Sequence, residues 1–256
     1  MKSKPSMTLD RALSRFGIAS RTEARKAIQS GCLKVNGRTV RDPECWVHPE
    51  KDILHLDGRR LKPARRIYLL FYKPKGVITS HGDPEGRKTV YECLGSDGRW
   101  VFPVGRLDRD TSGLLLLTND TDFADFVTRP QSQVPKTYLV KVNNLLPDDV
   151  IAQLQSGIKM KRGDWARPLA VRHLENRGKY TWIEIILTEG KNREVRRMIE
   201  AVGFQVLKLV RTGIGPLTLE GLEMGQWRKL TAEEVTGLRR YGSRRRDSSH
   251  LPAGRG

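Results

Sequence analysis

Apolar positions along this chain alternate between helical and strand periods, and each change marks a structural boundary. Leu9, Ala12, Leu13 and Phe16 recur at the spacing of one helix face, and Gly17 ends the run. A second helix follows at once: Ser20 and Glu23 form a capping box, Ala24, Ala27 and Ile28 face inward, and Gly31 supplies a left-handed stop. Arg21, Arg25 and Lys26 are left on the outer face. Leu33 to Val40 folds back at Asn36-Gly37, a pair suited to the two positive φ angles of a type I′ turn. A further strand, Asp52 to Leu56, is turned by Asp57-Gly58.

Past a short basic linker, Lys62-Pro63-Ala64-Arg65-Arg66, the pattern shifts to strands: Tyr68 to Tyr72, Val77 to Thr79, Leu114 to Leu117, Tyr138 to Val142 and Trp182 to Leu187. Between them, Pro147 to Gly157 reads as a helix by its Pro start and Gly stop, and Arg193 to Gly203 as a helix whose inner face is Val195, Met198, Ile199 and Val202. A last helix begins at the capping box Thr231-Ala232-Glu233-Glu234. Irregular alternation of strands and helices, with hairpin turns such as Asn176-Arg177-Gly178, predicts an α+β protein. Its parts are a small module of two helices and short strands over 7–62 and a domain over 66–238 built on a mostly antiparallel mixed sheet flanked by helices. Residues 239–256 are too polar to bury a core and are expected to form a disordered basic tail.

Charge narrows the partners. The 256 residues carry a net charge of +18. Residues 1–64 hold 14 basic and 7 acidic side chains, and residues 239–256 hold 6 and 1. Such an excess favours a polyanion, because each lysine or arginine placed on a phosphate releases condensed counterions. Membrane headgroups are the rival polyanion, but no apolar run approaches a membrane span and the first residues lack a signal-peptide core. A cytoplasmic protein is expected. Cys32, Cys45 and Cys93 are widely spaced and the five histidines show no ligand spacing, so neither a disulfide framework nor a metal site is suggested.

Candidate chemistry concentrates in Gly105-Arg106-Leu107-Asp108-Arg109-Asp110-Thr111-Ser112-Gly113, which runs into the apolar Leu114 to Leu117. One carboxylate sits between two arginines that would favour its charged form, at the mouth of a strand able to hold it rigid. On these residues alone a solvated hairpin with surface ion pairs remains the competing reading. A second basic cluster, Gly190 to Met198, places Lys191, Arg193, Arg196 and Arg197 around a helix N-terminus, a natural seat for phosphate. A solvated helix face is the plainer alternative there.

Resemblance decides between these readings. Gly-Arg-Leu-Asp-x-x-Thr-Ser-Gly-Leu-Leu-Leu-Leu-Thr, starting at Gly105, resembles the signature of the RsuA/RluA group of pseudouridine synthases, in which the Asp of Arg-Leu-Asp is catalytic. Tyr68 to Gly76 resembles the first strand and Lys-Pro-x-Gly turn of the same group. The order of residues from Leu9 to about Pro43 is similar to the S-four RNA-binding module. Together they resemble a synthase of the RsuA/RluB/RluE/RluF kind over nearly all of Leu9 to Leu238.

The resemblance implies isomerisation of a uridine in ribosomal RNA, with no cofactor, since the reaction needs neither redox change nor phosphate energy. It implies Asp108 as the catalytic carboxylate, Arg196 as its basic partner in preference to Arg193, and Tyr138 as the residue stacked on the target base. Leu209 corresponds to the apolar residue across the pocket. Arg106, Lys191 and Arg193 are expected phosphate contacts, and Arg21, Arg25, Lys26 and Lys34 are the RNA-facing candidates of the module. Likeness to the RluB type in Asn192 to Arg197 favours the large subunit, and a monomer is expected. Two rivals stay open at this point: a non-enzymatic RNA-binding or ribosome-assembly protein on the same fold, and a DNA-binding protein using Leu9 to Gly31 as a helix-turn-helix.

Overall fold

The computed structural model describes residues 6–247 other than 17, 19–20, 50, 63–64, 96–100 and 161–162. The expected roles of Gly17 and Ser20 therefore lie outside the described residues. The chain divides into two compact units, one of Met1–Tyr68 with Gly98–Phe102 and Leu117–Asp122, the other of Leu69–Asp97, Pro103–Leu116 and Phe123–Gly256.

In the first unit the helices are Leu9–Arg15 and Arg21–Gln29. Four short strands pair in the order Arg38–Thr39, Leu33–Val35, Leu54–Leu56, Arg59–Arg60. Both expected tight turns form: Asn36 and Gly37 take φ of 50° and 83°, and Asp57 and Gly58 take 49° and 77°. Leu9, Leu13, Ile28, Leu33 and Leu54 make the core. The stretch read as a linker is anchored at its far end. Asn119 accepts from Ile67 N at 2.8 Å and donates to Arg65 O at 3.0 Å, while Asp120 accepts from Arg66 at 2.8 Å and from the Tyr68 hydroxyl at 2.7 Å.

Arg21 and Arg25, expected on an RNA-facing rim, turn their guanidinium groups to Asp10, which is fully buried. Asp10 accepts from Arg21 at 2.9 Å, Arg25 at 3.0 Å, Thr8 Oγ1 at 2.6 Å and Arg11 N at 2.7 Å. Burial pushes this carboxyl up, but the hydrogen bonds from Thr8, Arg21 and Arg25 outweigh it and hold it at about 2. A carboxyl depressed in the folded state stabilises above its unfolded value near ~3.9 and ceases to as pH falls through the folded one. Asp10→Asn is therefore expected to cost about 1–2 kcal/mol at pH 7, a figure lowered for the half-exposed arginines. The deficit against wild type should shrink as pH falls from near 4 to 2. Urea unfolding at a series of pH values measures this, and an unchanged midpoint would show that the arginines add nothing to folding.

The main sheet runs in the order Ala170–Arg177, Tyr180–Leu187, Lys136–Val142, Val206–Ile214, Ser112–Thr118, Tyr68–Lys73, Trp227–Lys229. Val206–Ile214 pairs in parallel with Ser112–Thr118, whereas Lys136–Val142 is antiparallel to both its neighbours. The α+β class and the mixed, mostly antiparallel sheet are as the sequence predicts. All seven residues of Ser112–Thr118 are buried, as expected of a strand covered on both faces. Helix Asp148–Ser156 is bounded by Pro147 and Gly157, and with helix Glu194–Ala201 it packs Leu154, Val195, Met198 and Ile199 against Val140, Ile183 and Ile185.

Two expectations need correction. Val77 to Thr79 forms no strand beyond an isolated bridge of Ile78 with Thr89: Ile78 donates to Lys88 O at 2.9 Å and accepts from Val90 N at 3.0 Å, and the pairing goes no further. The last helix, Ala232–Asp247, continues into the stretch expected to be a disordered tail, and residues 248–256 lie outside the described residues. Its start is fixed by Thr231 and Glu234, each accepting from the other's backbone N–H, at 2.8 and 3.2 Å. Leu238 is fully buried, and no proline interrupts the run. Among the described residues, no helix is long and apolar enough to cross a membrane.

Candidate active site

Asp108 sits on a turn closed by Thr111 N donating to Asp108 O at 3.1 Å, just before the leucine strand. Nearly every carbonyl of that turn is held. Thr79 Oγ1 donates to Leu107 O at 2.9 Å, and Gly76 N to Arg109 O at 2.7 Å. Arg196 Nη2 donates to Asp110 O at 3.0 Å. The Lys73 ammonium, fully buried, donates to Asp108 O at 3.1 Å, to Thr111 O at 2.8 Å and to Pro74 O at 3.1 Å. Desolvation draws Lys73 down to about 8, opposed by the attraction of Asp108 and Asp110. The turn is thus gripped from three separate elements, which fixes its geometry before any ligand arrives.

Beside it lies a cavity of about 350 Å³, a size suited to one nucleotide. Its wall includes Arg106, Asp108, Tyr138, Lys191, Arg193 and Leu209, so six candidates separated by up to a hundred residues meet at one place. Tyr138 and Leu209 come from adjacent antiparallel strands, Leu209 opposite Val140. Their rings and methyls offer two apolar surfaces for a flat base. The Asp108 side chain is 36% exposed and so can be reached from solvent. His81, His173 and Cys93 of the same unit are not part of this wall, and among the described residues no cluster of His, Cys, Asp or Glu could hold a metal ion.

The basic partner differs from the sequence expectation. Arg193 Nη1 lies 3.5 Å from Asp108 Oδ2, whereas Arg196 gives its hydrogen bonds to the carbonyls of Asp110 and Val206, the latter at 3.3 Å. The difference follows from the fold: Arg193 precedes helix Glu194–Ala201 in the left-handed conformation, φ 48°, while Arg196 is a turn further on, partly buried and committed to the carbonyls of Asp110 and Val206. Nor do the neighbours of Asp108 in sequence pair with it. Arg106 lines the cavity, and Arg109 reaches Asp110 at 3.7 Å.

Three buried charges on this wall escaped the sequence reading: Lys136, Glu194 and Arg211. Strand alternation carries a signal for two of them, since Lys136 shares its parity with buried Tyr138, Val140 and Val142, and Arg211 shares its own with Leu209. Glu194 Oε2 accepts from Lys191 N at 3.0 Å and thereby pins the loop that carries Lys191 and Arg193.

A backbone-clamped turn presenting one carboxylate to a nucleotide-sized, partly basic cavity defines a nucleic-acid-modifying enzyme. Comparison with known proteins agrees. Residues 67–201 match the family model for RNA pseudouridylate synthase, and residues 7–53 match the S4 domain. The chain belongs to the RNA pseudouridine synthases, enzymes that isomerise uridine in RNA. It is 39% identical to an uncharacterized RNA pseudouridine synthase of Aquifex aeolicus, over 90% of this chain and 92% of that one. With the ribosomal large subunit pseudouridine synthase B of Bacillus subtilis it shares 38% identity over 90% of this chain and 95% of the relative. A crystal structure of a pseudouridylate synthase superposes with a TM-score of 0.66 at 28% identity, covering 91% of this chain and all of that one.

Proposed function

We propose that this protein converts a uridine of large-subunit ribosomal RNA to pseudouridine, working as a cytoplasmic monomer with Asp108 as the catalytic carboxylate. The observation that carries the reading is the rigid Asp108 turn opening onto a nucleotide-sized cavity between Tyr138 and Leu209. A base inside a helix cannot reach such a site, so the uridine is extruded, at a cost on the order of a few kcal/mol offset by basic contacts. Arg106 and Lys191 at the rim take flanking phosphates, and exposed Lys26 and Lys34 of the N-terminal module add further backbone contacts.

Within the cavity, Tyr138 stacks on the uracil and Leu209 closes the other side. Asp108 acts on the nucleoside as a nucleophile or by removing a ribose proton. Arg193 orients its carboxylate, and Arg196 positions the turn through Asp110 O. The assignment to the large subunit is supported by likeness to the Bacillus subtilis relative. Mapping pseudouridine in total RNA from cells with and without the gene tests it. Loss of a large-subunit site on deletion is the expected result, and loss confined to the small subunit, or no change, would overturn it.

A further inference from the structure

The scheme above leaves unused two cations buried in the cavity wall. Two-residue alternation puts Lys136 on the same face of its strand as Tyr138, and Arg211 is the cross-strand neighbour of Tyr138. Lys136 is 8% exposed and Arg211 5%. The Lys136 ammonium makes one long hydrogen bond, 3.3 Å, to Thr188 O, leaving two of its protons for other acceptors. Arg211 spends its Nε on Leu114 O at 2.7 Å, and its Nη2 has no partner among the described residues.

The compensating carboxyl is Glu194, and it compensates poorly. Burial pushes its pKa up, and its Oε2 is committed to Lys191 N. Desolvation, with Arg211 adding to it and Glu194 opposing, lowers Lys136 to about 8. A desolvated ammonium with one weak hydrogen bond is costly to keep, and it becomes useful where negative charge develops during a reaction.

Resting on the reading of this cavity as the uridine site, we propose that Lys136 is a further catalytic residue: its ammonium hydrogen-bonds a carbonyl oxygen of the extruded uracil and, with Arg211 behind it, stabilises the ring as it leaves the sugar as an anion. The C1′–N1 bond breaks with both electrons passing to the ring, where the charge spreads from N1 onto O2 and O4, the oxygens within reach of Lys136. Meanwhile C1′ is held either as an ester of Asp108 or as the glycal whose ribose proton Asp108 carries and returns. The ring turns, C5 bonds to C1′, the C5 proton is released and N1 takes one up. Nothing is oxidised or reduced.

The test compares uridine with 5-fluorouridine at the target position of an RNA on which wild type forms pseudouridine. Fluorine makes the ring a better leaving anion, so the slower step with uridine should depend more on the cation. Under single-turnover conditions Lys136→Met is expected to slow glycosidic cleavage of the uridine RNA on the order of 10²-fold. The fluorouridine RNA should slow by less than about tenfold, with RNA affinity unchanged and Lys136→Arg retaining most of the rate.

Equal slowing of both RNAs, or weakened binding with cleavage intact, would overturn the proposal. Should Lys136→Met fail to fold, Lys136→Gln, which keeps a hydrogen-bonding group without the charge, goes through the same comparison: selective slowing of the uridine RNA supports the step and equal slowing of both RNAs refutes it. A wild type that isomerises some other RNA would count against the ribosomal assignment alone, since the Lys136 readout is a ratio between two substrates of an active enzyme.

Discussion

Asp108→Asn is expected to reduce pseudouridine formation by on the order of 10³-fold or more while changing RNA affinity less than about twofold. The substitution keeps the shape of the side chain, and the turn that carries it is held through backbone carbonyls, none of which involves the carboxylate. What is lost is an oxygen able to attack carbon or accept a proton, together with the ion pair to Arg193 at 3.5 Å. On the proposed reading RNA affinity rests on other groups, Arg106 and Lys191 at the rim and Lys26 and Lys34 of the N-terminal module. Tritium release from RNA labelled at carbon 5 of uridine reads the chemistry, and filter binding reads the affinity. Full tritium release by the variant would remove Asp108 from the reaction.

Gly113→Ala should be nearly as damaging without touching any reacting group. Gly113 lies at the start of the leucine strand with φ 119°, directly against Arg211 of the parallel neighbour. A Cβ there would stand 2.3 Å from Arg211 O and 2.5 Å from Arg211 N, both backbone atoms that cannot swing aside. The strand must separate from its neighbour or the backbone must leave its conformation, at a cost of about 2–4 kcal/mol. Either response moves Asp108, five residues upstream, relative to Leu209 on that neighbour and Tyr138 on the strand beyond it. A lower urea midpoint and a slower single-turnover rate are expected together. A variant with wild-type stability and rate would show that the parallel strand contact does not set the site.

Much of this architecture is legible in the sequence because it is written locally. Asn36-Gly37 and Asp57-Gly58 form their turns since few other pairs tolerate two positive φ angles, and Pro147 and Gly157 bound their helix for equally local reasons. The identity of the cation beside Asp108 is not written that way. Arg193 and Arg196 are three residues apart and chemically identical, and the choice between them follows from a left-handed residue at the helix start, a tertiary outcome. Lysines on strands mislead in a similar way, because Lys73 and Lys136 read as polar breaks in apolar patterns although both are buried. Their parity with Leu69, Phe71 and Tyr138 is the signal that a charge faces inward, and only the fold supplies the carbonyls that make it tolerable there.

The clamped carbonyls from Leu107 to Thr111 carry a further consequence. In the role proposed for Asp108, a reactive group so tethered has no slack with which to follow a nucleoside that arrives out of register. Choice among the many uridines of a large RNA then falls to the RNA itself, and the site modified is the one whose strand can be wrenched open and presented with the least deformation.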